Sequence, residues 1–328
     1  MQSALYSERE AHKANLTLAS LGLPSWDEMP VKELQLKVGA KPVDGWFGQG
    51  SIKAWKKWAK KHQPNPVCKP DGYDPQVLKQ DAGCAIVKGV SYKAPAGLVL
   101  VNYLEPNGIP AQMDDTSERK HKVTQFVLHR GWAGSYNPKY NFAAKTEDTL
   151  DARGLSSTFS QDIDGIIYQH FDPAIRRGRH ATHHNVQSDS LDVGGPFTQN
   201  RKPAPGQEKI TLRMAIGRSG DGLPPLVRKF ANVKCLSMPE AQIAALAIFL
   251  PWWCKLRGIP LTACEDWRCF RLSGHMGLKD PVTNVKGILA HTQISDPGGR
   301  VDGILPLHHL KERGVNLGWR NGADFFKT

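Results

Sequence analysis

The chain has 328 residues, 40% of them hydrophobic and 23% charged, with a formal net charge of +12, which suits a globular protein of about two domains. No uncharged apolar run of about 18 residues occurs, so no membrane-spanning helix is expected. The amino terminus lacks a basic region leading into an apolar core, so no secretory signal is expected either. The positive balance favours anionic partners, but no helix-turn-helix, zinc-finger or RNA-recognition signature accompanies it, and no nucleic-acid partner is expected.

Taken in chain order, a helix-compatible lead from Ser7 to Leu21 comes first. Val31, Leu34 and Val38 then share one helical face, Gly39 can stop that helix, and Asp44-Gly45 marks a turn. Ser51 can open a second helix whose face carries Ile52, Trp55 and Trp58. The reading is a small all-α module over 1–65, followed by a proline-rich linker over 66–84 containing Pro66, Pro70 and Pro75. A second domain spans 85–328, where apolar alternation returns, as in 97–104.

The run Val123-Thr-Gln-Phe-Val-Leu-His129 is β-branched and apolar, and reads as a buried strand that leaves His129 at the sheet rim. Residues 131–156 read as loop. Next come strand, Asp164-Gly165 turn and strand over 157–172, the histidine-rich stretch 180–185, and an extended segment ending at Gly194. An insertion over 196–233 contains a strand near 209–216. A helix opens at Pro239 with Ser237 as its cap and runs to about Pro251, or with a kink to Gly258. Ala244, Ala245, Ile248 and Phe249 are expected to pack it on a sheet. A last strand over 286–291 leads into Pro297-Gly298-Gly299, which turns Arg300 and Asp302 back toward His291. An imidazole and a carboxylate converging from a tight loop are two of the three protein ligands of a catalytic zinc, and His129 is the best third. His183 and His184 are an alternative pair, weakened by adjacency, since successive side chains of an extended segment point oppositely. The cysteines at 68, 84, 235, 254, 264 and 269 form no C-x-x-C pair and read as buried free thiols, with 264/269 and 68/84 close enough to bridge.

Two resemblances follow from these residues. Leu34, Gln35, Gly39, Asp44, Gly45, Phe47, Gly48 and Ser51 occupy the signature positions of the peptidoglycan-binding module of many cell-wall hydrolases. That likeness implies wall contact through the turn, with Trp46 or neighbouring polar groups as the contact candidates. Residues 120–310 resemble the zinc-dependent N-acetylmuramoyl-L-alanine amidases, which share the fold of the peptidoglycan recognition proteins. Its most specific piece is His291-x-Gln-Ile-Ser-x-Pro-Gly-Gly-Arg-x-Asp302. The fold implied is an α/β domain with a central mixed sheet flanked by helices, beside the helical module.

The amidase resemblance further implies Zn2+ on His129, His291 and Asp302, with peptidoglycan as substrate and the bond between N-acetylmuramic acid and L-alanine as the one cleaved. His180 becomes a substrate contact, and Arg300 stands where relatives tend to carry lysine, as a fixed charge for the oxyanion. The family's basic glutamate is replaced by Gly194, so Asp192 is the expected general base with Asp189 behind it. Ser157 and Thr158 replace an aromatic or histidine pair of the family. The module pairing resembles a phage endolysin or virion-associated hydrolase, made in the host cytoplasm without a signal peptide and then released to the wall. The alternative is a catalytically inactive peptidoglycan-binding protein.

Overall fold

The computed structural model describes residues 83–105, 107–112, 116–216, 229–265, 285–294 and 302–321, with 33, 35, 36, 39, 41, 54 and 325 as isolated positions. The chain divides into two compact units, Met1–Cys68 and Lys69–Thr328. The turn of the expected helical module, Trp46, the linker up to 82, and Arg300 all lie outside the described residues.

The larger unit contains strands β1 (Cys84–Val87), β2 (Val90–Lys93), β3 (Leu100–Val101), β4 (Ser117–Glu118), β5 (Gln125–Arg130), β6 (Phe159–Gln161) and β7 (Ile167–Gln169). Then follow β8 (Arg176–Arg177), β9 (Ser188–Val193), β10 (Lys209–Ile216), β11 (Lys229–Leu236) and β12 (Gly287–Ala290). Six of these make a mixed sheet in the order β12-β5-β9-β6-β7-β3. Its members β12, β5, β9 and β6 run parallel, while β7 pairs antiparallel with β6. The expected strand near 209–216 is β10, which pairs with β11 as a separate ribbon. The strand expected over 97–104 shrinks to the two residues of β3.

Residue alternation decides what each sheet face carries. Phe126 and Leu128 of β5, Phe159 of β6, and Leu191 and Val193 of β9 belong to one apolar core. Against them lies helix α2 (Glu240–Arg257), whose Phe249 and Trp253 meet the Phe159 ring edge-on at centroid distances of 5.0 and 4.7 Å. The intervening residues Gln125, Val127 and His129 of β5, and Ser188, Ser190 and Asp192 of β9, turn to the other face. They too are buried, so both faces of these central strands are covered.

Helix α2 corrects two expectations. Ser237 does not cap it, because Pro239 holds the cap position and the Ser237 hydroxyl accepts from the Glu208 amide at 2.9 Å. Ala244 is exposed while Leu246, Leu250 and Trp253 join Ala245 and Phe249 in the core. The helix is apolar over most of its circumference, so periodicity alone gives its phase poorly. It continues through Pro251 to Gly258, whose left-handed φ of 66° ends it.

The segment expected to be loop over 131–156 contains helix α1 (Phe142–Asp151). Asn141 opens it by accepting the Ala144 amide at 2.8 Å, and Phe142, Ala143, Thr146, Glu147 and Leu150 form its buried stripe. Helix α1 covers the polar face of the sheet, where Ser160 reaches its Ala143 carbonyl. The single turn α3 (His291–Ile294) and helix α4 (Ile304–Glu312) follow β12. Cys84, Cys235 and Cys254 are free thiols and Cys264 is buried, while Cys68 and Cys269, the possible partners of Cys84 and Cys264, fall outside the described residues.

Candidate metal centre

Strand register gathers the site. Ala290 of β12 pairs with Leu128 of β5, so the next residue, His291, falls beside His129. On the other side His129 pairs with Asp192 of β9, and Asp192 with Ser160 of β6. A row of side chains thus crosses the carboxyl ends of parallel strands about 4.8 Å apart, the edge at which open α/β sheets place their ligands. The His129 and His291 rings lie 4.5 Å apart between centroids.

Asp302 completes the cluster from the start of the turn before α4. Its Oδ2 lies 2.8 Å from His291 Nδ1, and its Oδ1 accepts the Arg130 amide at 2.7 Å. The backbone is locked too, since the Thr292 amide and hydroxyl both donate to the Asp302 carbonyl. Gly303 makes this closure feasible: it has φ 75°, and a Cβ there would sit 2.0 Å from the Leu128 carbonyl oxygen. Burial would raise the Asp302 pKa, but neighbouring His291, His129 and the Arg130 amide hold it below the usual carboxylate range.

Ligand atoms of His129, His291 and Asp302 all lie within 4.8 Å of one another. Two imidazoles and one carboxylate form a donor set that suits zinc, leaving a fourth position for a reactant. His129 is buried and its pKa falls to about 3, through burial first and then the neighbouring His291, so it is a neutral donor. His291 and Asp302 are 26% and 23% exposed, so the cluster opens to solvent on their side.

Hydrogen bonding fixes which His129 nitrogen can donate. Ser188 gives its one hydroxyl proton to the His184 carbonyl at 2.6 Å, so at 3.1 Å it must accept from His180 Nε2. His180, also held neutral by burial and then by His129, therefore presents a lone pair at Nδ1, 3.0 Å from His129 Nε2. His129 then donates from Nε2 and keeps its Nδ1 lone pair free, the outer-ligand arrangement that orients metal-binding histidines. His180, expected to touch substrate, thus has both ring nitrogens engaged in orienting His129. His184 sits with Nδ1 against Gln125 Oε1 at 2.9 Å and is not part of the cluster. The side chain of His183 lies outside the described residues.

Asp192 sits in the same row, buried, with Oδ2 lacking a hydrogen-bond partner among the described residues. Burial, then Asp302, pushes its pKa up to about 7, against the hydrogen bond from Ser157. Gly194, two residues on, has no room for an acid, because a Cβ would lie 2.9 Å from both the Gln161 carbonyl oxygen and Phe142 Cβ. Asp189, expected as reserve base, faces the opposite side of the strand. There it takes Arg119 at 2.9 Å, Arg257 at 3.0 Å and the Trp253 indole at 3.2 Å, so it is a structural ion centre and not a base.

No family model matches the chain, and no curated protein matches it. Among solved structures it is similar to the Drosophila peptidoglycan recognition protein SA, at 12% identity and TM-score 0.36, over 68% of this chain and 94% of that one. It is also similar to the ectodomain complex of peptidoglycan recognition proteins LCa and LCx bound to tracheal cytotoxin, at 14% identity and TM-score 0.36, over 68% and 99%.

Two residues that sequence reasoning passed over shape the site. Ser157, seen only as a departure from a family pattern, bonds Asp192 and lies 2.8 Å from the Ser190 hydroxyl. Ser188 sets the tautomer of His180 and through it that of His129. Nothing in the local sequence marks either, because their partners come from other strands.

Proposed function

We propose that this protein is a zinc-dependent peptidoglycan hydrolase that cleaves the amide between N-acetylmuramic acid and L-alanine. The observation that carries the reading is the convergence of His129, His291 and Asp302 beside the buried Asp192 carboxylate. Zinc held by these three would supply Lewis acidity toward the amide carbonyl and lower the pKa of water to about 7. Asp192, with its pKa near 7 and one oxygen unpartnered, is matched to taking a proton at neutral pH and returning it to the leaving amine. Ser157 holds that carboxyl in place. Arg300, two residues before Asp302 in sequence, brings a fixed charge for the developing oxyanion and, being unable to release a proton, does not act as the acid.

The amino-terminal signature from Leu34 to Ser51 supports wall targeting, since tethering raises local substrate concentration. Such a pairing fits a phage lysis protein, released from the host cytoplasm or carried on the virion. The packed Gly194 favours a second reading, an inactive wall-binding protein, because the position of the family's base cannot hold an acid.

Metal analysis and peptidoglycan digestion decide between them. The amidase binds about one zinc per chain and releases peptides with new L-alanine amino termini but no new reducing sugars, and His291→Ala abolishes both. Wall binding without release would establish the inactive binder, and new reducing ends would sink the assignment of the reaction.

A further inference from the structure

Beyond β5 the chain leaves the sheet as a loop over 131–141. Gly131 passes so close to α1 that a Cβ would lie 2.4 Å from Thr146 Oγ1, and that hydroxyl accepts the Trp132 amide at 2.9 Å. Farther on, the Tyr136 amide donates to the Lys202 carbonyl at 2.8 Å, and the Gly195 amide to the Trp132 carbonyl at 3.0 Å. These bonds pin the inserted segment after Gly195 against the loop. Between them lies a cleft of about 600 Å³ lined by Trp132, Ser135, Tyr136, Asn137, Tyr140 and Arg201, within the size range of small-ligand sites.

The aromatic groups of this cleft are braced. The Trp132 indole folds back over Gly134, where a Cβ would meet the ring at 1.8 Å. Tyr140 meets Trp132 edge-on at 5.8 Å, and Tyr136 stacks on Phe142 at 6.5 Å with 5° between planes. Arg201, exposed, lines the cleft, and Lys145 Nζ lies 6.0 Å from the Tyr140 ring centre. Aromatic faces, small polar groups and cations together suit a ring with a flat C–H face, several hydroxyl or amide groups, and a nearby negative charge. The cleft also adjoins the metal cluster: Trp132 is three residues from His129, at most roughly 10 Å of extended chain.

We propose that this cleft is a saccharide subsite that receives the pyranose ring adjoining, along the glycan strand, the N-acetylmuramic acid whose amide is cut. The choice of glycan rests on the peptidoglycan reading above; the sugar-binding chemistry does not.

The test uses the full chain and two kinds of probe. Chitotetraose carries sugar rings but no peptide, so calorimetry with it reads the cleft whether or not the protein is an amidase. Trp132→Ala should weaken chitotetraose binding about tenfold, and Arg201→Ala, at an exposed position, roughly threefold. Gly134→Ala, which displaces the indole without removing it, should match Trp132→Ala. In turnover, Trp132→Ala should raise KM several-fold more for a disaccharide–tetrapeptide than for N-acetylmuramoyl-tetrapeptide without the neighbouring sugar. Unchanged chitotetraose binding in these variants overturns the proposal, as does equal loss on both turnover substrates. A single-stranded oligonucleotide that binds more tightly than chitotetraose and depends on Trp132 also overturns it, in favour of base stacking. If wild type releases no peptide yet chitotetraose binding depends on Trp132 and Arg201, the amidase reading fails and the subsite stands.

Discussion

Asp189 and Asp192 stand three residues apart on β9, both shut away from solvent, and have opposite surroundings. Asp189 faces α2, where two guanidinium groups and an indole saturate its oxygens. Asp192 faces the metal cluster, where one oxygen has no partner among the described residues and its pKa rises to about 7. Three positions, an odd number of alternation steps, separate a carboxylate that holds the fold from one kept in reserve for a proton. A buried charge with full partners is structural, and one held short of partners is costly unless it has work elsewhere.

The comparison can be broken at either residue. The largest effect belongs to the cluster that gives Asp192 its purpose: His291→Ala or Asp302→Ala should remove zinc and lower peptide release by at least about a thousandfold, read by metal analysis and a peptide-release assay. Asp189→Asn leaves Arg119 and Arg257 buried without their counter-charge, so denaturant unfolding should show a loss of roughly 3–5 kcal/mol. A loss under about 1 kcal/mol would mean Asp189 is no structural centre.

Asp192→Asn should do the reverse, keeping fold and zinc while slowing turnover about a hundredfold or more. Its stability should also carry a sign. Asp192 has a folded pKa near 7, above its unfolded value, so its contribution is fully present below the unfolded pKa and is lost as pH rises through 7. In metal-free protein the advantage of Asp192→Asn over wild type should therefore grow between about pH 4 and 7 and then level off. A flat difference would show that the carboxyl is not held protonated. The smallest effect concerns thiols on the helix-packed side: burial pushes Cys254 up to about 12 and Cys235 up to about 11. Both should resist alkylation at pH 8 in the folded protein and react on unfolding, as mass spectrometry would show.

Much of this was legible in the sequence because it is local. The strand ending at His129, the Asp164-Gly165 turn and the loop joining His291 to Asp302 each carry their own composition signals. Helix α1 was also local, with Asn141 as cap and an apolar stripe from Phe142 to Leu150, but neighbouring Gly, Pro and Asn residues masked its start. The pairing of Arg119 with Asp189 spans 70 positions, and that of Arg257 with Asp189 spans 68, distances at which no short-range pattern points to a partner. The distinct roles of Asp189 and Asp192 were half legible: period-two alternation separates their faces, but only the packed helix tells which face is wet chemistry and which is scaffold.

The bond from the Arg130 amide to Asp302 joins residues 172 positions apart, and His291 directly follows β12, the strand that ends the six-stranded sheet beside β5. The metal cluster is therefore a late event in the life of each molecule: β5, β9 and β6 can meet long before the segment bearing two of the three ligands has been synthesised. A ribosome-bound chain that has not yet reached Asp302 has no complete centre. The three candidate ligands are thus brought together by chain order only when the larger unit is nearly finished.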